Sequence, residues 1–380
     1  MDMLTQKAIQ SLVHHTDASC LSIYIPAHRT GKEVKQDPIR LKNMIRQAET
    51  YLSESHAEPF QRLTEPVRAL IESRDFRNMG CEGLGVFRSG DLFRWFCLPN
   101  AFCEIGVVAD HFHVKPLVPI IDDLKSYFLL SLHQHGVHFY LGNRFRLQEI
   151  DLPGLPRHIQ DVLQYDDPER QVQFHTGTAR PSGRRAAMFH GQGVGVDDHK
   201  SNIKRFFQEV SRVVSPYVEE RKAPLIVASL ESLFPIYREV NTASRLKNEF
   251  IDCHPQSQSE SELMKRASGI LATRAENRKR EAVDRYHALQ PSKTSDAIEN
   301  VAPLAVEGRI EILFADLARF YWGRCDLSEE HIEIHEQREA GDVDLLNLTV
   351  VHTLRHGGRV IPMTGEDVPG DTPVAAVLKG

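Results

Sequence analysis

The 380-residue chain is too long for one ordinary core, and its length predicts two or three domains. With 41% hydrophobic and 26% charged residues it has the balance of a globular chain, which excludes a disordered tail or a membrane-embedded protein. Its 46 Lys and Arg against 52 Asp and Glu give a net charge of −6, which argues against coating nucleic acid through bulk charge but leaves room for local basic patches.

In chain order, Leu21 to Pro26 reads as a strand, and Asp37-Pro38 opens a helix whose apolar face is Ile39, Leu41, Met44, Ile45 and Ala48. A second helix is predicted over Pro66 to Ser73. Leu84 to Gly90 and Leu92 to Leu98 then form a hairpin that turns at Ser89-Gly90-Asp91. The stretch Val114 to Leu132 is too interrupted, by Pro116, Pro119, Asp122, Asp123 and Lys125, to span a membrane. The first fifteen residues lack a basic flank followed by an apolar core, so a cytoplasmic location is expected.

From Tyr127 the pattern is an antiparallel meander, with turns at Gln134 to Gly136 and at Gly142-Asn143. After a long polar segment, Asp197 or Asp198 caps a helix with Ile203, Phe206, Phe207, Val210 and Val213 at helical spacing. A buried strand, Leu225 to Leu230, and a helix, Phe234 to Val240, follow. Pro255 to Ser261 reads as a linker before a charged helix from Glu262 to about Leu289, whose basic face is read as solvated. The tail runs through RIEILFA (Arg309 to Ala315), a helix (Leu345 to Gly358) stopped by Gly357 or Gly358, a strand at Arg359 to Met363, and VAAVLKG (Val374 to Gly380). The fold class is therefore α/β and α+β in three domains.

The six cysteines, Cys20, Cys81, Cys97, Cys103, Cys253 and Cys325, contain no CxxC pair and are expected as reduced thiols. Cys97, Cys103, His111 and His113 match no zinc-finger or ribbon spacing, so no metal is expected. His133, His135 and His138 are read as partly exposed structural histidines. No phosphate loop, HExxH pair or GxSxG elbow occurs, and no cofactor is expected.

One segment stands apart in charge. Residues 171–196 contain no acidic residue while carrying Arg180, Arg184, Arg185 and five glycines. Arginine forks suit phosphate oxygens and glycines let backbone N–H groups approach them, so contact with RNA or phosphate is predicted here. His190 to Gly195 mimics a dinucleotide loop, but no buried strand precedes it.

The order of elements and the junction GVVADHFHVKPLVPIIDDLKSYFLLSLHQHGVHFYLG resemble the archaeo-eukaryotic peptide-chain release factor and Pelota superfamily, with Asp110, Phe112, Pro116 and Leu117 at the characteristic positions. The C-terminal VAPLAVEGRIEILFA and HGGRVIPMTGEDVPGDTPVAAVLKG resemble that superfamily's third domain, related to kink-turn-binding ribosomal proteins. YIPAHRTGKEVKQDPIRLKNMIRQAE and FHGQGVG resemble its bacterial branch, which includes relatives of the Balon ribosome-hibernation factors.

The resemblance implies a first domain over 1–122 toward the decoding centre, an RNase H-like middle domain over 123–258 bearing the loop, and a third domain over 259–380. It implies a monomer that binds ribosomal RNA and tRNA in the A site, with a translational GTPase as partner and no membrane. In release factors the loop carries Gly-Gly-Gln. Here Gln192 follows Gly191, but His190 stands where the first glycine belongs; a second register puts Arg184 at the glutamine position. Gln192 and Gly191 are the candidate catalytic pair. Arg180, Arg184, Arg185, His190 and Gly193 are candidate RNA contacts, as are His28, Arg29 and Lys32 in the first-domain turn. The expected role is A-site binding for rescue or hibernation without efficient hydrolysis. Two alternatives stay open: a peptidyl-tRNA hydrolase using Gln192, and a nucleic-acid enzyme built on an RNase H-like core, which would need clustered carboxylates.

Overall fold

The computed structural model describes residues 4–28, 33–52, 57–77, 79–133, 136–163, 194–254, 257–326, 331–370 and 372–380. These form a mixed α/β structure that divides into two compact units, one of residues 1–122 with 277–380 and one of residues 123–276. The segments expected as separate first and third domains thus share one unit, each with its own sheet.

The N-terminal segment opens with helix α1 (Gln6–His14), strand β1 (Thr16–Pro26), helices α2 (Asp37–Thr50), α3 (Ala57–Glu72) and α4 (Arg74–Arg77), and strands β2 (Gly83–Arg88), β3 (Phe93–Leu98) and β4 (Ile105–His111). The sheet order β3-β2-β1-β4 is antiparallel throughout, and Leu21, Ile23 and Ile25 of β1 pack with Leu41, Ile45 and Val67 of the helices. The predicted hairpin is present, closed by Ser89 N donating to Leu92 O at 2.8 Å. Helix α3 starts nine residues before the predicted Pro66, which lies inside it. The apolar stripe Phe60, Leu63, Val67, Leu70 and Ile71 is buried, and that burial outweighs the hydrogen bond proline cannot donate.

The cysteine expectation is corrected here. Cys81, just before β2, and Cys97, which pairs from β3 with Leu84 of β2, have Cα atoms 5.5 Å apart and are joined as a disulfide. Cys97 is therefore not a free ligand in the Cys97, Cys103, His111 and His113 grouping.

After α5 (Val118–Asp123), the middle unit runs β5 (Tyr127–His133), β6 (Gly136–Gly142), β7 (Leu147–Glu149), α6 (Ile159–Leu163), α7 (Val194–Arg221), β8 (Leu225–Ser229), α8 (Phe234–Val240), β9 (Ile251–Asp252) and the long α9 (Glu260–Ala288). Its sheet has the order β7-β6-β5-β8-β9, antiparallel across the meander and parallel from β5 through β8 to β9. Alternation along β5 sends Phe128, Leu130 and Leu132 to one face, where Phe206, Phe207, Val210 and Val214 of α7 and Tyr237 of α8 cover them. Tyr127 and Leu129 face the other way and meet Leu263 and Ala267 of α9. Both faces are buried, which is why β5 and β8 are mostly apolar rather than alternating.

The C-terminal segment continues with β10 (Thr294–Asp296), α10 (Ile298–Val306), β11 (Ile310–Asp316), β12 (Trp322–Asp326), β13 (His331–Ile334), β14 (Val343–Asp344), α11 (Leu345–Arg355), β15 (Arg359–Met363) and β16 (Val374–Leu378). Its main sheet is β10-β16-β11-β15, with β11 parallel to β15; a small sheet, β13-β12-β14, was not anticipated. Ala282 of α9 packs with Ile312, Phe314, Ile361 and Val377 on one face of the main sheet.

Residues 112–117 dock on α11 through a buried polar network. Lys115 Nζ lies 2.6 Å from Asp344 Oδ2, donates to the Arg319 carbonyl, and stands 3.8 Å over the Phe320 ring. Asn347 Oδ1 accepts from Val114 N at 2.8 Å and Lys115 N at 3.0 Å, while its amide donates to Phe112 O at 3.2 Å. Lys115 and Asp344 are 1% and 2% exposed, so each charge depends on the other. Arg338 adds a second tie, sandwiched 4.3 Å from the Tyr51 ring and 4.2 Å from Trp322.

In the small sheet, His335 Nδ1 is 2.9 Å from Asp342 Oδ2, and its Nε2 is 3.3 Å from Glu333 Oε1. The hydrogen bond to Asp342, then that to Glu333, raises the imidazole pKa above its ordinary 6.5. A raised pKa means a stabilising contribution that is complete below the unfolded value and is lost as pH climbs through the folded one. An NMR titration should place the His335 midpoint above 6.5; a midpoint at or below it contradicts this pairing.

Candidate functional site

The charge-reversed segment lies between α6 and α7, so the site is approached through the frame that carries those two helices. Arg180, Arg184, Arg185, His190, Gly191, Gln192 and Gly193 lie outside the described residues, as do Arg29 and Lys32. His135 does also.

The frame is held by one arginine. Arg157 sends Nη1 to Glu149 Oε1 at 2.9 Å and Nη2 to Asp151 Oδ1 at 2.6 Å, while its carbonyl accepts from Val137 N at 3.0 Å. Asp161 closes the start of α6 by accepting from the backbone N–H groups of Arg157 (2.9 Å) and His158 (2.8 Å). Leu152 and Leu155, with Ile159 and Val162 of α6, anchor this stem on the apolar cluster beneath α7. The approach to the loop is thereby fixed to β6 and β7 by hydrogen bonds and to the core by packing.

His138 joins the network, its Nδ1 2.9 Å from Glu149 Oε1. Burial acts to raise the Glu149 carboxyl, but the hydrogen bonds from His138 and Arg157 outweigh it and hold that group below its usual range. His133 is 5% exposed, and its ring stacks on that of His254 at 6.3 Å and lies 6.5 Å from His138. Three histidines thus gather at the β5–β6 turn and the end of β9; sequence reading named two of them and missed His254, which sits next to the predicted linker.

Around the stem, Glu149 and Asp151 accept from the Arg157 guanidinium, Glu149 also pairs with His138, and Asp161 accepts from backbone N–H groups. Glu149 and Asp151, the carboxylates a two-metal nuclease would need, are both engaged with Arg157. Among the described residues the one group of three potential metal ligands, His15, Asp17 and Asp91, lies in the other unit.

In the first-domain turn, His28 Nδ1 is 2.8 Å from Asp37 Oδ1, and its backbone N–H donates to Asp37 Oδ2 at 3.0 Å. Asp37 is 3% exposed at the first turn of α2. The carboxylate fastens His28 to the helix start, so one ring nitrogen is already committed.

Residues 127–273, which include the sheet and most of the helices just described, match the model of bacterial archaeo-eukaryotic release factor family 7. Over this segment the chain is similar to the bacterial archaeo-eukaryotic release factors. No curated protein is similar enough to match. Among solved structures, the chain is similar to an archaeal translation termination factor, aRF1 (14% identity, 100% of this chain and 99% of that one, TM-score 0.25). It is likewise similar to archaeal Pelota in a model of ribosome-bound Pelota and ABCE1 (10%, 100% and 95%, 0.40). A third is Dom34 of S. cerevisiae, described as a translation termination-like factor interacting with Hbs1 (11%, 99% and 91%, 0.31).

Proposed function

We propose that this chain is a translation factor that binds the ribosomal A site and occupies it for rescue or hibernation, without efficient ester hydrolysis. The observation that carries the reading is the coincidence of the family match over residues 127–273 with an acid-free, triple-arginine insertion between α6 and α7. Strand order β7-β6-β5-β8-β9, with an antiparallel meander feeding a parallel pair, supports an RNase H-like middle domain. Domains over 1–122, 123–258 and 259–380, the last of kink-turn-binding type, belong to the same proposal, as does a translational GTPase that delivers the protein.

The departed loop motif supports the absence of hydrolysis. A glycine before Gly-Gln would give backbone freedom that a histidine lacks, and His190 stands there. Peptidyl-tRNA hydrolysis is the second reading, favoured by Gln192 between two glycines.

Binding through loop arginines is electrostatic and should fall steeply with salt. In a pelleting assay with 70S ribosomes, replacing Arg180, Arg184 and Arg185 together by Ala is expected to weaken binding. It should also make the slope of log affinity against log salt shallower by about two to three. Unchanged affinity and slope would remove the loop from the interface.

A further inference from the structure

We infer that His113 is an acid-sensitive latch: neutral, it lets residues 112–117 seat between β1 and the C-terminal segment, and protonated, it drives that junction open. The imidazole is 1% exposed, and among the described residues neither ring nitrogen has a hydrogen-bond partner. A neutral ring tolerates such a place at modest cost, whereas a charged one loses its hydration with no acceptor to replace it.

The ring is held there by its own backbone. His113 N donates to Ser22 Oγ at 2.9 Å, and its carbonyl accepts from Tyr24 Oη at 2.7 Å, so two residues of β1 fix the main chain. The imidazole lies parallel to the Phe320 ring at 6.2 Å and edge-on to Tyr24 at 6.3 Å. Phe320 comes from the C-terminal segment, which makes His113 a contact between the two segments of this unit.

The charges that act on the ring have one sign. Lys115 comes from its own segment, His111 from β4 and Arg338 from the β13–β14 connection, while burial keeps the Tyr24 hydroxyl of β1 protonated. The carboxylates at the junction are engaged elsewhere, Asp344 with Lys115 at 2.6 Å and Asp316 with Arg319 at 3.5 Å. Burial first, then Lys115, His111 and Arg338, hold the imidazole well below its ordinary 6.5. The unfolded chain takes up this proton near pH 6.5 and the folded chain does not. Stability is therefore complete above that pH and is lost as pH falls below it, toward the folded value.

The test unfolds the full chain in urea at about pH 7.5 and about pH 5.0, followed by tryptophan fluorescence. Both tryptophans, Trp95 and Trp322, lie in the unit of residues 1–122 and 277–380, so the signal reports this unit. His113→Phe keeps a ring against Phe320 and cannot titrate; His113→Gln is a second, smaller variant that cannot titrate either. Relative to these variants, the wild-type folding constant should fall roughly thirtyfold between the two pH values, the ratio for a histidine that titrates near 6.5 only when unfolded. Amide protection at Val114 and Lys115, whose N–H groups donate to Asn347 Oδ1, should drop at the lower pH in the wild type alone. A wild-type His113 NMR resonance that titrates at or above 6.5, or a pH dependence equal to that of the variants, would overturn the latch.

Discussion

Lys115→Met is expected to destabilise the unit formed by residues 1–122 and 277–380 by about 3–5 kcal/mol, because it strands the Asp344 carboxylate without a counter-charge. Methionine keeps the length of the side chain, so lost packing is minor. Burial pushes the Lys115 pKa down and Asp344 pushes it back up, which makes each group the condition for the other's charge. Asp344 also accepts from the N–H groups of Leu346 and Tyr321, each at 3.2 Å, capping α11. Asp344→Asn in the Lys115→Met background removes the unpaired charge and keeps an acceptor for the cap, so it should recover part of the loss. Urea unfolding reads both, and a single-variant loss below about 1 kcal/mol would mean the pair is solvated after all.

Phe207→Ala is expected to cost about 3–5 kcal/mol in the unit of residues 123–276. The ring is fully buried, meets Tyr237 edge-on at 5.9 Å and lies 5.8 Å from Phe206. It belongs to the stripe that seats α7 on Phe128, Leu130 and Val227, and α7 follows directly on the arginine-bearing segment in the sequence. The loss should therefore appear both in stability and in ribosome binding near the unfolding midpoint. A cost below about 1 kcal/mol would show that α7 is not seated by this stripe.

The parts of the fold that were legible in the sequence are those fixed by local periodicity and turn chemistry. The β2–β3 hairpin, the β5–β6–β7 meander and α7 follow from alternation, from Ser89-Gly90-Asp91, and from apolar residues at helical spacing. Strand β4 was not legible, since its pairing with β1 is a long-range match between Val107, Val108 and Ser22, Leu21. The Cys81–Cys97 disulfide escaped because it depends on where the residues before β2 pass relative to β3, which no spacing rule gives. Lys115 and Asp344 are 229 positions apart, and nothing local in VKPLVP says that the lysine's charge is answered by the cap of α11.

For the site, the sign reversal over 171–196 was legible because charge composition needs no geometry. The stem network was not. Arg157, Glu149 and Asp151 each look like solvated surface residues until β6, β7 and the approach to α6 are folded together. His28 reads as a basic turn residue, and only the fold pairs it with Asp37.

The central claim, occupation of the A site without ester hydrolysis, is tested by single-turnover release of a labelled peptide from stalled 70S ribosomes saturated with the protein. Wild type and Gln192→Ala are run side by side, and pelleting confirms occupancy. Bound protein with peptide release at the uncatalysed rate in both is the expected result. Release by the wild type that collapses in Gln192→Ala would make this chain a peptidyl-tRNA hydrolase and contradict the account.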